Sequence, residues 1–128
     1  MFNDREPVKE IRAAFVDGSG IKWDPNRAEL ENYFQKKEVN WMGMQSNRSL
    51  YFILKGNQIF FAKDPVEAPI GMIDLTNSIE IILMKSDCMQ IITSKETYEL
   101  TSESTENIQI WYNSISNILL ERKLMNLG

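Results

Sequence analysis

The chain has 128 residues, 43% hydrophobic and 25% charged, which fits one globular domain with a single core. Its net charge of -4 argues against a nucleic-acid partner, and the absence of histidine removes the commonest general base and metal ligand, so neither a cofactor nor an enzymatic activity is expected. The lone Cys88 excludes an internal disulfide and points to a reducing, cytoplasmic setting.

No apolar run approaches the ~18–20 residues needed to span a bilayer, and the first residues, MFNDREPVKE, are too charged for a secretory signal. Pro7 opens a predicted short helix that aligns Val8, Ile11 and Phe15 on one face. Asp17-Gly18-Ser19-Gly20 breaks it. This loop lacks calcium-loop spacing, because Phe15 and Asn26 fall where carboxylates would have to stand. Trp23-Asp24-Pro25 reads as a second helix start, with Leu30, Tyr33 and Phe34 forming an apolar stripe up to about Gln35. Residues 1–36 are thus expected to form an N-terminal helical extension and residues 37–128 the main domain. The apolar faces of the extension would either cover that domain or pair with a second chain, so the oligomeric state stays open.

From Val39 the hydrophobic period changes to two. Seven strands are predicted, at about 39–45, 49–55, 58–63, 70–75, 78–84, 89–93 and 97–101. Gly56-Asn57 marks a two-residue hairpin, while Thr76-Asn77, Ser86-Asp87 and Lys95-Glu96 separate later strands at even spacing. The stretch 104–124 then reads as one long helix, with Ile108, Trp111, Ile115, Ile118 and Leu119 along one face. Ser104 is its expected N-cap, and Arg122 and Lys123 are expected in its last turn. Trp111, Ile108 and Ile115 from the helix and Phe52 and Leu54 from the second strand are the expected core.

Seven antiparallel strands followed by a helix with a central tryptophan resemble the pleckstrin-homology (PH) domain. Tyr51-Phe52-Ile53-Leu54 looks like the family's aromatic second strand, Gln58-Ile59-Phe60-Phe61-Ala62-Lys63-Asp64 like its third, and Ala68-Pro69-Ile70-Gly71-Met72-Ile73-Asp74-Leu75 like its fourth. Tyr98-Glu99-Leu100, then Glu103-Ser104 and Trp111, resemble the seventh strand and the helix. The resemblance implies a mostly β fold with one α element: a PH-like seven-stranded antiparallel barrel or sandwich capped by a C-terminal helix.

It also implies where a phosphoinositide head group would bind. Family members that bind one have a lysine near the end of the first strand and a basic-x-arginine pair at the start of the second. Against that pattern Met44 falls at the lysine, Arg48 at the first basic position and Leu50 at the arginine, with a short intervening loop, 45–47. Phe61 falls where some members carry a tyrosine. The candidate head-group residues are therefore Arg48, Lys63, Lys36 and Lys37, a diffuse patch rather than a converging set. The expected function is a targeting adaptor of a signalling or cytoskeletal protein, peripheral at the inner face of the plasma membrane through weak or atypical phosphoinositide binding. The alternative is a protein–protein interaction module on the same scaffold without specific lipid binding.

Overall fold

The computed structural model describes residues 29–127. The expected helix from Pro7, the loop 17–20 and the start of the second helix at Trp23-Asp24-Pro25 lie outside the described residues. The described residues form seven strands, β1 (Leu30–Val39), β2 (Gln45–Lys55), β3 (Gln58–Ala62), β4 (Gly71–Asp74), β5 (Ser78–Lys85), β6 (Cys88–Thr93) and β7 (Thr97–Thr101), then helix α1 (Thr105–Leu127). A short 3-10 turn, Leu75–Asn77, joins β4 to β5.

The strands form one open antiparallel sheet in the order β4-β3-β2-β1-β7-β6-β5. β1 is its hinge: it pairs with β2 along its whole length, but with β7 only at Gln35↔Thr101 and Lys36↔Leu100. The hairpin expected at Gly56-Asn57 forms, with Lys55 opposite Gln58 and Gly56 at φ 60°, a conformation that glycine adopts without steric cost.

The first strand is the main correction. Residues 30–35, expected in the second helix, are strand, and 39–45, expected as a strand, is mostly the turn between β1 and β2. The boundary drawn between residues 36 and 37 falls inside β1, so residues 30–36 belong to the sheet. The register explains why: Leu30, Asn32, Phe34 and Lys36 stand opposite Leu54, Phe52, Leu50 and Arg48. The period is two, and it is disguised because two positions on the core-facing side are polar.

The core joins that face of the sheet to one face of the helix. Phe34, Leu50, Phe52, Leu54, Ile59, Ile91 and Leu100 pack with Ile108, Trp111, Ile115 and Leu119 in one cluster. Trp111 is completely buried, its ring lies 5.1 Å from Phe34 and nearly perpendicular to it, and its Nε1–H donates to Asn32 Oδ1. Ser104 does cap the helix: its Oγ accepts from Asn107 N at 3.2 Å. Because the helix continues to Leu127, Arg122 lies short of the last turn. Its guanidinium instead donates to Leu75 O at 2.7 Å and to Thr76 O, tying the helix to the 3-10 turn.

Candidate functional site

Beyond Phe34 and Leu50 the β1–β2 pair leaves the core, and every residue from position 39 to position 49 is exposed. The projecting turn is organised by Asn40. Its N–H donates to Met44 O, its carbonyl accepts from Gly43 N, and its Oδ1 accepts from both Met42 N and Met44 N, all at 2.9 Å. Gly43 supplies the left-handed residue that closes the loop, with φ 82°. With its backbone stitched in this way, the turn presents apolar side chains outward: Trp41 is 92% exposed, Met42 63% and Met44 62%. Isolated apolar side chains on a surface are ordinary, but a tryptophan and two methionines gathered on one braced tip form a local patch.

The sheet brings two of the four head-group candidates together, since Lys36 and Arg48 are directly opposed on β1 and β2. Arg48 is exposed. Lys36 is not free: its side chain is 17% exposed, its ammonium lies 3.6 Å from Glu38 Oε2, and it sits 5.8 Å from the ring centroids of both Phe61 and Tyr98. Lys37 points to the opposite face by strand alternation and lines a cleft of about 320 Å³ with Gln45, Ser46, Asn47 and Glu99. That cleft holds one cation and one carboxylate. Lys63 is exposed at the end of β3.

The pattern implied by the resemblance shifts accordingly. With β1 ending at Val39, its second half carries Lys36 and Lys37, whereas Met44 sits in the turn. The stretch 45–47, expected as a loop, pairs with Val39, Glu38 and Lys37. Leu50 is 1% exposed and belongs to the core, so its position supplies no cation. Phe61 offers a ring and no hydroxyl. That ring fits because its partner in β4 is Gly71, where a Cβ would come within 2.2 Å of it. Tyr98 does carry a hydroxyl near this corner, but burial, and then the Glu96 side chain beside it, hold it well above the usual tyrosine range and therefore neutral.

Sequence reasoning did not single out the apolar tip. Its signal was Gly43 following Asn40-Trp41-Met42, a turn with no polar residue between Asn40 and Met44. Among the described residues no group of acidic, cysteine or histidine side chains is arranged to hold a metal ion, and no helix is long and apolar enough to cross a membrane.

An open antiparallel sheet folded onto one long C-terminal helix, with its first hairpin projecting, defines a PH-type recognition fold. Residues 22–119 match the family model of the PH domain, and the chain belongs to that family. Such domains generally mediate membrane or protein interactions and are generally non-catalytic. The ventricular zone-expressed PH domain-containing protein homolog 1 of Rattus norvegicus is 25% identical over 103 residues, which cover 73% of this chain but 12% of that protein. Among solved structures, the human PH domain of pleckstrin homology domain-containing protein family A member 5 superposes with a TM-score of 0.64 at 19% identity, covering 84% of this chain and 90% of that one. The C-terminal PH domain of pleckstrin, in complex with D-myo-Ins(1,2,3,5,6)P5, gives a TM-score of 0.61 at 20% identity, covering 72% and 95%.

Proposed function

We propose that this chain is a non-catalytic targeting module. It holds a larger signalling or cytoskeletal protein at the cytoplasmic face of the plasma membrane by weak, atypical phosphoinositide binding. The observation that carries the reading is the projecting β1–β2 hairpin, whose exposed Trp41, Met42 and Met44 stand at the end of a strand pair that bears Lys36, Lys37, Arg48 and Glu38 in its tip-proximal half. Tryptophan suits the interface between head groups and acyl chains, and each basic residue near an anionic surface contributes about 1 kcal/mol. Burying one large apolar side chain contributes roughly 1.5–3 kcal/mol. Neither contribution alone anchors a protein durably, whereas the two together resemble the paired signals that peripheral proteins use.

A protein partner on the same hairpin is the second reading, favoured by Leu50 lying in the core and by Lys36 being engaged with Glu38. Exposed tryptophans are frequent anchors of protein interfaces. Vesicle co-sedimentation separates the two. Vesicles rich in multiply charged phosphoinositides are expected to bind at low salt, neutral vesicles and soluble inositol polyphosphates to bind far more weakly, and Trp41→Ala to reduce vesicle binding about tenfold or more, the equivalent of about 1.4 kcal/mol. Absence of binding to any vesicle at low salt transfers the hairpin to the protein-partner reading.

A further inference from the structure

Two of the three apolar side chains on the projecting turn are thioethers. Met42 follows Trp41 directly, Met44 stands one glycine further on, and both are as open to solvent as a tip allows. A thioether is apolar and polarizable, so it suits insertion beside an indole, but a peroxide converts it to a sulfoxide, which is polar and accepts hydrogen bonds. Of the other methionines among the described residues, Met89 is fully buried and Met72 half-buried. Met84 and Met125 are exposed, but they lie on β5 and in the last turn of α1, away from the β1–β2 turn in the chain and in the order of the sheet.

The turn does not depend on its sulfur atoms for its shape. Asn40 Oδ1 accepts from the backbone N–H groups of Met42 and Met44, the Asn40 backbone closes on Met44 O and Gly43 N, and strand pairing resumes at Val39↔Gln45. Every bond that braces the tip therefore comes from the backbone or from Asn40. An oxygen added to either sulfur points into solvent, leaves the brace intact and changes only the polarity that the tip presents. A sulfoxide carried among acyl chains leaves its water partners behind, which costs free energy unless new ones are found there.

We propose that Met42 and Met44 form a redox modification site that sets the membrane affinity of the hairpin, with a hydroperoxide as the oxidant. The proposal rests on the membrane reading given under Proposed function. In the forward step the thioether sulfur attacks one peroxide oxygen and the O–O bond breaks. Sulfur is oxidised by two electrons to the sulfoxide, and the other oxygen takes the proton and leaves as an alcohol, or as water when the oxidant is hydrogen peroxide. The return step uses two thiols, which give up two electrons to form one disulfide and release the added oxygen as water. With both sulfurs oxidised, Trp41 is the one apolar side chain left on the turn. Part of the burial that accompanies the basic residues is then lost, and a single remaining signal holds a peripheral protein poorly.

The test oxidises the full chain with hydrogen peroxide, removes the oxidant, confirms both sulfoxides by peptide mass, and measures co-sedimentation with phosphoinositide-rich vesicles at low salt. Oxidation is expected to weaken binding about tenfold, and methionine sulfoxide reductases for both epimers with a thiol reductant should restore it. Met42→Leu with Met44→Leu should bind like the untreated parent before and after peroxide, although Met84 and Met125 are still oxidised. Met84→Leu with Met125→Leu should lose binding as the parent does. The denaturation midpoint of the oxidised parent should be unchanged, which separates a change at the tip from unfolding. Unaltered binding by the doubly oxidised parent, an equal loss in the Met42→Leu, Met44→Leu variant, or a lowered midpoint would overturn the proposal. If the untreated parent binds no vesicle, the membrane reading itself fails and the switch falls with it, an outcome distinct from vesicle binding that ignores oxidation.

Discussion

Trp111 combines two roles, since it fills the centre of the core and spends its only donor on Asn32, a half-buried amide on β1. Trp111→Ala is expected to cost about 3–5 kcal/mol, because a large buried aromatic is removed from a site where the helix cannot collapse fully. Trp111→Phe keeps a ring against Phe34 but deprives Asn32 of its donor, so it should cost less than the alanine variant yet remain measurable, about 1–3 kcal/mol. An unchanged denaturation midpoint in either variant contradicts these roles. Gly71 matters for the opposite reason. An alanine there meets the Phe61 ring, which is held between Phe52 at 5.4 Å and Tyr98 at 6.5 Å. Gly71→Ala should cost about 1–3 kcal/mol by overpacking, and Gly71→Ala with Phe61→Leu should recover part of it if the ring is the obstacle.

Between elements, Arg122 ties the helix to the turn that carries the chain from one half of the sheet to the other. Asp74 braces the same turn by accepting from Thr76 N at 2.9 Å and from Thr76 Oγ1 at 2.6 Å. Arg122→Met should therefore lower stability by about 1–2 kcal/mol, and Arg122→Lys should restore only a fraction, because an ammonium cannot reproduce the planar fork on two carbonyls. Full restoration by lysine in a melting experiment would reduce the contact to simple charge. The sequence's helical period suggested the inward face of α1 and its cap but not this role, since a carbonyl acceptor 46 residues away leaves no trace in local pattern. From Ser49 onward the strands were legible because their inward positions are apolar, whereas the start of β2 at 45–48 is polar and was not. β1 was not, because Asn32 and Lys36 occupy inward positions for specific partners, the Trp111 indole and the Phe61 and Tyr98 rings, while Leu30, Tyr33 and Phe34 happen to fall at helical spacing. Of the site, the basic residues were legible one by one. Their separation onto two faces, with Lys37 turned away from the Lys36–Arg48 pair, depended on the register of that misread strand.

Across the whole molecule, a net charge of -4 opposes an anionic surface, so the membrane attachment we propose requires a local, oriented contact. The β1–β2 hairpin offers such an orientation by leading with an apolar tip and holding Arg48 behind it, with Lys63 at the end of the neighbouring strand. Arg48→Ala with Lys63→Ala removes two exposed cations at about 1 kcal/mol each, which corresponds to roughly a 30-fold loss of affinity for phosphoinositide-rich vesicles at low salt. Both side chains are exposed and lie outside the core, so the double variant should melt like the parent. The same loss should be reproduced in the parent protein by raising ionic strength, because at 0.1 M salt the screening length is already about 10 Å. Trp41→Ala should behave differently, weakening binding by a similar factor at every salt concentration, since burial of an indole is not screened. If the charge variant and the Trp41 variant show the same salt dependence, the two contributions are not separable and the hairpin does not act as a wedge with a basic collar. If the double variant binds vesicles as tightly as the parent, Arg48 and Lys63 take no part in attachment.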